Sequence, residues 1–382
     1  MKVAILGFGT VGVGVYEMLQ KADGLEAGYV FVRPGKEDKP YKVSDLNTIL
    51  SDEETRAVVE VMGGVEPAYT YVSAALKAGK HVVSSNKALV AARGIELDKL
   101  ARENSVAFLF SAACGGAIPF LHNLALAVES DSIVSVGGIL NGTTNFMLDA
   151  MQTDGSDYAD VLAEAQRLGY AEADPSADVS GLDALRKIML ASAVAWGKLP
   201  AEGLLHEGIE SLTAEDVAHF MSKGRVCRLI ASASFSASGA LCAYVQPTLF
   251  PAGAPETSVK KNFNLAKYHG VNAGDILLMG QGAGRYPTAS AVLRDLSDIC
   301  AGRRAMFPAG LEAACADNAA VLCRYYVRLP ADAASQLPLA ESASFDGVVR
   351  GVTEPVSVLF MHAFAARLRE DGGAVFFAAL ED

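Results

Sequence analysis

The chain has 382 residues, of which 51% are hydrophobic and 20% are charged. This length predicts two or three domains, and the composition predicts sizeable cores and excludes disorder over most of the chain. The formal net charge of −12 argues against nucleic acid and membrane partners, because an acidic surface repels phosphate backbones and anionic lipids.

Neither a secretory signal nor a membrane span is predicted. The first apolar run, Val3–Leu6, is interrupted at once by Gly7, and no stretch of about 18 apolar residues occurs. The six cysteines, at positions 114, 227, 242, 300, 315 and 323, form no CxxC pair. That spacing favours free thiols in a reducing cytoplasm over a zinc site or a disulfide framework.

Residues 1–125 alternate short apolar runs with helix-length segments. The strand-like runs are Val3–Leu6, Tyr29–Val32, Ala57–Val61, His81–Ser84 and Val106–Phe110. Helical patterns lie between several of them, for example Pro67–Ala78 and Gly94–Glu103. Strands that alternate with helices predict βαβ units, and hence an α/β fold with an N-terminal Rossmann-type, doubly wound parallel sheet.

The second part of the chain, from about Leu121, mixes the two kinds of element differently. Strand-like runs such as Ile133–Leu140 accompany long helices such as Leu182–Ala195, which predicts an α+β substrate domain. Pro287 then leads into a further helical segment. The tail from residue 321 holds three apolar runs and predicts a small, separate α/β unit.

The segment Gly7-Phe8-Gly9-Thr10-Val11-Gly12 fits the pattern G-x-G-x-x-G. It follows an apolar strand and opens a helical pattern, so an ordinary glycine-rich turn is the weaker interpretation. In such a turn the first glycine permits the tight bend, the second lets a pyrophosphate approach, and the third lets the helix pack on the strand. The sequence therefore predicts a dinucleotide here, with its pyrophosphate at the helix N-terminus.

The residue after the second strand bears on the choice between NAD and NADP. An acid at this point would hydrogen-bond the ribose 2′-hydroxyl of NAD. Here Tyr29–Val32 is followed by Arg33, with Lys36 and Lys39 close behind. A guanidinium suits a 2′-phosphate, so NADP(H) is the preferred cofactor and NAD(H) a possible one. The alternative interpretation is a basic surface loop without a role in binding.

Asp183 and Lys187 stand four residues apart and so share one face of a predicted helix. A pair at this spacing is ordinarily a surface salt bridge. Here the turns that follow, Ile188–Ala195, are apolar nearly all round, which predicts a buried helix. A buried lysine beside a carboxylate can serve as an acid or a base. Two further acids, Glu172 and Asp178, lie just upstream and favour a functional site.

Lys87 is another candidate for a functional side chain. It follows the fourth strand, His81–Ser84, at the edge where doubly wound sheets bind their ligands. The alternative is a solvated lysine at a helix start, beside Asn86.

The chain resembles the homoserine dehydrogenase family from Met1 to about Asp298. The segments that carry the resemblance are Gly142-Thr143-Thr144-Asn145, Gly169-Tyr170-Ala171-Glu172, Gly181 through Lys187, Gly282-Ala283-Gly284, and Pro287-Thr288-Ala289-Ser290. The order and spacing of these segments leave little room for chance. The resemblance implies interconversion of L-aspartate 4-semialdehyde and L-homoserine with a nicotinamide cofactor.

The resemblance also implies roles for individual residues. Lys187 would exchange a proton with the substrate oxygen at C4, Asp183 would hold the substrate and fix Lys187, and Lys87 would lie between cofactor and substrate. Glu172 would bind the substrate ammonium. The other substrate contacts would be Gly142, Thr143, Tyr170 and Asp178. The cofactor contacts would be Gly7, Phe8, Gly9, Thr10, Val11, Gly12, Arg33, Gly63, Ser85, Lys87 and Gly284.

A division of the chain follows from the same resemblance. Residues 1–125, with a returning segment 286–320, would form the dinucleotide-binding domain, and residues 126–285 the catalytic and dimerisation domain. Residues 321–382 would form a small unit that resembles an ACT-like domain. The unit would be degenerate or truncated, because it lacks the expected Asp-x-Pro-Gly turn. A homodimer or higher homo-oligomer acting on a small molecule is expected.

One departure from the family pattern concerns a sodium ion. Similar members carry Glu four residues before the glycine at Gly115, and this Glu serves the ion together with main-chain carbonyls. Here the position is Ser111. Because the only charged ligand is missing, we predict no metal site.

Two other functions are compatible with a Rossmann-type sheet. An aspartate-semialdehyde dehydrogenase would need a nucleophilic cysteine with a histidine base, and Cys114 has no such partner evident in the sequence. A non-catalytic amino-acid sensor would have no need to keep Asp183, Lys187, Glu172 and Lys87. The dehydrogenase is therefore the leading hypothesis.

Overall fold

The computed structural model describes residues 1–381, which form an α/β protein with two compact units. The first unit comprises Met1–Ile133, Met189–Leu199 and Gly270–Ala313. The second unit comprises Val134–Ile188, Pro200–His269 and the residues from Ala314 onward. The domain boundaries expected from the sequence, after residues 125, 285 and 320, stay predictions.

The N-terminal part of the chain alternates strands with helices. Its strands are β1 (Lys2–Leu6), β2 (Glu26–Phe31), β3 (Lys42–Val43), β4 (Thr55–Glu60), β5 (His81–Ser84) and β6 (Phe108–Leu109). Its helices are α1 (Thr10–Leu19), α2 (Leu46–Leu50), α3 (Ala68–Lys77), α4 (Lys87–Glu103) and α5 (Phe120–Ala127). The strands pair in parallel in the order β3-β2-β1-β4-β5-β6. This is the Rossmann strand order, so the predicted sheet is confirmed.

The burial of these strands explains why they could be predicted from the sequence. Residues Val3–Leu6 of β1 are fully buried, as expected for a parallel strand covered on both faces. The predicted ends of the helices and strands agree less well with the structure. Helix α4 begins at Lys87, seven residues before the predicted start, because the Asn86 side chain accepts a hydrogen bond from the Leu89 amide and caps the helix.

The remaining elements are mixed in order. The middle strands are β7 (Ile133–Ile139), β8 (Lys198–Glu202), β9 (Leu205–His206), β10 (Arg225–Phe235), β11 (Leu241–Pro251), β12 (Phe263–Gly270) and β13 (Gly274–Gln281). The middle helices are α6 (Gly142–Asp154), α7 (Tyr158–Arg167), α8 (Ser176–Val179), α9 (Leu182–Trp196) and α10 (Ala214–Ser222). The last elements are α11 (Arg285–Cys300), β14 (Glu312–Cys315), β15 (Leu322–Cys323), β16 (Tyr325–Pro330), β17 (Leu339–Phe345), β18 (Val348–Thr353), β19 (Val356–Ser357), α12 (Val358–Glu370) and β20 (Phe376–Leu380).

A mixed sheet forms the centre of the second unit. Its strands are ordered β12-β7-β10-β11-β20-β16-β18-β17. Strands β10 and β11 pair antiparallel over eleven residues each, from Arg225 opposite Pro251 to Phe235 opposite Leu241. Helices α6 and α10 pack against β10 of this ladder.

The tail continues this sheet rather than forming a separate one. Strand β20 pairs in parallel with β11, with Thr248 opposite Ala379. Within the tail, the order β20-β16-β18-β17 is that of a β-α-β-β-α-β unit, in which a 3₁₀ segment, Ala331–Gln336, replaces the first helix. Helix α12 packs on one face of these strands, where Tyr325 and Phe377 are fully buried. The resemblance to a degenerate ACT-like unit stays a prediction.

The structure also bears on membranes and thiols. Of the helices in residues 1–381, none combines the length and the hydropathy needed to cross a bilayer. All six cysteines are free thiols, as the sequence predicted.

Candidate active site

The turn between β1 and α1 has a geometry that its glycines explain. Gly7 has φ +102°, a conformation that favours glycine. A Cβ on Gly12 would lie 2.2 Å from the Gly7 carbonyl oxygen, so only glycine allows the helix this close to the turn. Gly9 differs, because its φ is −84° and nothing lies within 4 Å of the position of a Cβ. The second glycine therefore leaves open space beside the turn.

A cavity of about 1000 Å³ opens at this turn, at the carboxyl ends of β1, β2 and β4. Of the predicted cofactor contacts, the cavity is lined by Gly7, Phe8, Gly9, Arg33 and Gly63. The other predicted contacts belong to the same unit without lining this cavity: Thr10, Val11, Gly12, Ser85, Lys87 and Gly284. The open space at Gly9 and the size of the cavity fit a dinucleotide.

Cationic side chains dominate one wall of this cavity. Arg33, Lys36 and Lys42 line it, and Asp38 is the only acid among the described residues that do so. Lys42 Nζ lies 2.6 Å from Asp38 Oδ1 and 4.9 Å from the centroid of the Phe8 ring. The ion pair with Lys42 lowers the pKa of Asp38. The wall therefore favours an anionic group.

Lys87 occupies the first position of α4 and is half-buried. A buried network fixes the start of this helix. The side-chain Nδ2 of Asn86 donates to Glu60 Oε1 at 3.3 Å, and Ser84 Oγ donates to Glu60 Oε2 at 2.6 Å. Burial raises the pKa of Glu60. Ser85 and Lys87, on either side of Asn86, thus belong to a rigid junction at the carboxyl end of β5.

Gly284 immediately precedes α11 and has φ +126°. This conformation favours glycine, so the residue type is explained by the local backbone. Pro287 lies in the first turn of α11, where its missing N–H is not needed.

The pair of Asp183 and Lys187 is buried. Lys187 Nζ lies 2.7 Å from Asp183 Oδ2, and the two side chains are only 10% and 9% exposed. Lys187 also donates to the Leu140 carbonyl oxygen at 2.5 Å. Further along α9, Ile188 and Leu190 are fully buried. The buried helix predicted from the sequence is confirmed, and the interpretation as a surface salt bridge is wrong.

Asn141 joins the two aspartates of the cluster. Its Nδ2 donates to Asp178 Oδ1 at 2.7 Å and to Asp183 Oδ2 at 2.8 Å, while its Oδ1 accepts from the Thr144 amide at 2.8 Å. Burial, together with the nearby Asp183 carboxylate, raises the pKa of Asp178. Asn141 is the N-cap of α6, so its side chain is held by the helix while it holds both acids.

The sequence analysis assigned no role to Asn141. The available signal was its residue type, since an asparagine between a strand and the helix that starts at Gly142 is a good N-cap. That signal predicts the cap but not the contacts with Asp178 and Asp183, which lie 37 and 42 residues away.

The other predicted substrate residues differ in whether they contact this cluster. Thr143 Oγ1 donates to the Tyr170 carbonyl oxygen at 2.6 Å and to Asp178 Oδ2 at 3.3 Å. Gly142 starts α6, and a Cβ there would lie 2.7 Å from the carbonyl oxygen of Asn262. Glu172 is exposed in the loop after α7.

The structure therefore brings Asp178, Asp183, Lys187 and Thr143 into one hydrogen-bonded group. Tyr170 joins this group through its carbonyl oxygen, and its ring packs on Phe146 with the centroids 5.0 Å apart. Glu172 is not part of the group.

The residues at the expected sodium position do not fit that ion well. Ser111 is buried in a 3₁₀ turn and contributes only a neutral hydroxyl. Its main-chain N–H donates to Asp295 Oδ2 at 2.8 Å. Within residues 1–381, no group of three or more His, Cys, Asp or Glu side chains could hold a metal ion. The absence of a metal site stays a prediction.

Activity is expected to respond weakly or not at all to sodium, because Ser111 supplies no charge for the ion. Turnover would be measured in sodium chloride and in potassium chloride at equal ionic strength, with a tetramethylammonium salt as the control for ionic strength alone. Strong activation by sodium over potassium would contradict this prediction.

Stability is expected to fall as the pH rises from about 4 to 7, because Asp295 is fully buried. Burial raises the pKa of Asp295 to about 7. In this window the folded state binds the proton more tightly than the unfolded state, so stability decreases by roughly 1–3 kcal/mol. Asp295→Asn should flatten this dependence, since its amide oxygen can still accept from Ser111. Urea unfolding at pH 4.5 and 7.5 measures the effect.

The exposed Asp332→Asn serves as the control for this measurement. The explanation would be wrong if Asp295→Asn kept the pH dependence of the original protein.

Comparison with known proteins gives a consistent result. The family model for homoserine dehydrogenase matches residues 119–297, and the model for the homoserine dehydrogenase NAD binding domain matches residues 7–111. The homoserine dehydrogenase of Synechocystis sp. is 42% identical over 318 residues, which cover 78% of this chain and 73% of the relative. That of Corynebacterium glutamicum is 42% identical over 315 residues, covering 77% and 70%.

Solved structures of the same family are also similar to this chain. The crystal structure of a homoserine dehydrogenase from Thiobacillus denitrificans has a TM-score of 0.87 and 32% sequence identity, covering 100% of this chain and 98% of that one. A hyperthermophilic archaeal homoserine dehydrogenase in complex with NADPH has a TM-score of 0.67 and 25% identity, covering 79% and 98%.

Proposed function

The chain belongs to the homoserine dehydrogenase family, and from that premise we propose how its residues act. It is an oxidoreductase that acts on a CH–OH group and interconverts L-aspartate 4-semialdehyde and L-homoserine with a nicotinamide cofactor. The reaction belongs to the biosynthesis of threonine, methionine and isoleucine. The observation that carries the proposal for the catalytic group is the buried ion pair of Lys187 and Asp183.

The proton is assigned to Lys187 Nζ. Hydride addition to the aldehyde, for which the bound cofactor is the donor, builds negative charge on the substrate oxygen. A cationic acid beside that oxygen stabilises the charge and supplies the proton. The Asp183 carboxylate lies 2.7 Å from Lys187 Nζ and orients the lysine side chain. In the reverse direction Lys187 accepts the hydroxyl proton of homoserine.

The carboxylates near Lys187 are proposed to bind the substrate ammonium. Asp178 and Asp183 are held together by Asn141, whose Nδ2 donates to both carboxylates. Glu172 would complete the ammonium site from its loop. Gly142, Thr143 and Tyr170 are the remaining proposed substrate contacts. Lys87 is proposed as a second catalytic residue, placed by the rigid junction after β5.

The cofactor is proposed to be NADP(H) in preference to NAD(H). Arg33, Lys36 and Lys42 provide a cationic wall in the cavity beside the glycine turn, which suits a 2′-phosphate. With aspartate semialdehyde as substrate, kcat/KM is expected to be higher for NADPH than for NADH. Arg33→Gln should lower kcat/KM for NADPH by about 10- to 100-fold and leave the value for NADH nearly unchanged.

Arg56→Gln is the matched control, because Arg56 is an exposed arginine of the same unit that does not line the cavity. A clear preference for NADH would contradict the proposal on NADP(H). Absence of turnover with either cofactor would instead favour the non-catalytic sensor over the enzyme.

Two further proposals follow from family membership. The chain would assemble into a homodimer or a higher homo-oligomer, and it would work in the cytoplasm on a small-molecule substrate. Sedimentation of the purified chain tests the first of these.

A further inference from the structure

A second cavity, of about 780 Å³, lies in the second unit between α10 and the strands of the tail. It is lined by residues of α10 and of strands β16, β17 and β18. The lining carries three cationic side chains, Lys223, Arg328 and Arg350, and four acidic ones, Asp157, Glu215, Glu341 and Asp346. None of the residues assigned to the cofactor or the substrate lines this cavity, so the proposed catalytic function leaves it unexplained.

Two arginines stand directly opposite each other at this cavity. Arg328 of β16 pairs with Arg350 of β18 in the antiparallel register. Like charges in directly opposed positions destabilise a sheet, so this pair needs anions nearby. Arg328 has one, because its Nε lies 3.0 Å from both carboxylate oxygens of Asp216. Asp216 is fully buried and also accepts from the Tyr326 hydroxyl at 2.9 Å, so this contact is fixed.

Arg350 is partnered differently. Its Nη2 donates to Glu215 Oε2 at 2.6 Å, and the Glu215 side chain is 80% exposed. An ion pair with so exposed a partner adds little stability, so another anion can replace Glu215. In addition, Arg350 Nε is buried and has no hydrogen-bond partner among the described residues. A buried charged donor without an acceptor is costly, which points to an acceptor that the folded chain alone does not supply.

The rest of the cavity offers apolar surface beside the arginine. Phe345 lines it and is 81% exposed, which is unusual for an aromatic side chain. Val348 lies on the same rim, and the small residues Ala343 and Gly351 form part of the lining. Ala343 is the cross-strand partner of Arg350, so the small side chain leaves room next to the guanidinium. An exposed ring beside a cation fits a ligand that is both apolar and anionic.

We propose that this cavity binds a small organic anion, a carboxylate or a phosphate monoester that carries an apolar group such as a ring. The anionic group takes the place of the Glu215 carboxylate on Arg350. The apolar group lies against Phe345 and Val348. Glu215 holds the position of the anion in the unliganded protein, and the site is separate from the catalytic lysine.

Isothermal titration of the full chain tests the site with two defined probes, phenyl phosphate and phenylacetate, which distinguish a phosphate from a carboxylate ligand. Inorganic phosphate and phenol are the two halves of phenyl phosphate, and acetate is the anionic half of phenylacetate. At least one of the two probes is expected to bind, and to bind more tightly than either half. Glu215→Gln should tighten binding about two- to fivefold by removing the competing internal anion. Arg350→Gln should weaken it at least about tenfold.

Two further variants make the test specific. Arg367→Gln changes an arginine of α12 that does not line the cavity, and it should leave binding unchanged. Phe345→Ala removes only an exposed ring, so it should weaken the probes about threefold or more without affecting folding.

Several outcomes would overturn the proposal. The first is the absence of saturable binding to Glu215→Gln at 20 mM probe, roughly the weakest affinity of interest. The second is binding to folded Arg350→Gln as tight as to the original protein. The third is displacement of the probe by NADPH or homoserine. The last outcome would place the probe in the active site.

Discussion

Replacing Gly9 with Asp is expected to weaken cofactor binding more than about 100-fold while the protein stays folded. Gly9 has φ −84°, which any residue can adopt, and a Cβ there meets nothing within 4 Å. The new side chain therefore enters the open space beside the turn without strain. There its carboxylate repels the pyrophosphate, and its bulk occupies the position that the phosphates need. Fluorescence titration with NADPH measures the loss.

Gly9→Asn is the matched control, because it has the same shape without the charge. It should bind NADPH more weakly than the original protein and more tightly than Gly9→Asp. Thermal unfolding of both variants should be close to that of the original protein. Gly12→Ala, in contrast, is expected to unfold at a lower temperature than the original protein. Its methyl group would lie 2.2 Å from the Gly7 carbonyl oxygen and would destabilise the turn. Normal NADPH binding by folded Gly9→Asp would show that the cofactor binds elsewhere.

The parallel sheet could be predicted because its signals are local. Strands such as β1 are buried on both faces and so appear as continuous apolar runs, and the glycine turn follows β1 within the same dozen residues. The antiparallel strands were harder. Strand β10 was not predicted, since Arg228 interrupts its apolar pattern. In the structure this arginine is fully buried, and carbonyl oxygens such as those of Cys227 and Glu256 accept from its guanidinium. Such compensation depends on distant residues and leaves no local pattern.

The candidate site shows the same division. The spacing of Asp183 and Lys187 and the apolar turns after them are local, so the buried pair could be foreseen. The amide of Asn141, which joins two acids from another part of the chain, could not. Likewise, Arg328 and Arg350 face each other because of the register between β16 and β18, and this register could not be predicted from the sequence. Residue types and short spacings identify the chemical groups, whereas long-range pairing decides which of them meet.

Replacing Lys187 with Ala is expected to lower kcat by roughly 10²–10⁴-fold, the usual contribution of general acid–base catalysis. Lys187 is the proposed proton donor to the substrate oxygen, and its Nζ is held by Asp183 at 2.7 Å and by the Leu140 carbonyl at 2.5 Å. Affinity for NADPH should barely change, because the proposed cofactor contacts lie in the other unit. Steady-state kinetics and NADPH titration on the same preparation separate the two effects.

The loss of Lys187 also leaves Asp183 without its cation in a buried position, which destabilises proteins by about 3–5 kcal/mol when one partner of a buried pair is removed. Two variants control for this loss of stability. Lys187→Met keeps the approximate length of the side chain, and the double variant Asp183→Asn with Lys187→Met removes both charges. The double variant should regain stability but not activity. Lys198→Ala is the control for a surface ion pair, since Lys198 and its partner Glu312 are 39% and 60% exposed, and its turnover should be normal. If a folded Lys187 variant kept kcat within about threefold of the original enzyme, far less than acid–base catalysis contributes, Lys187 would not be the acid. The role would then pass to Lys87.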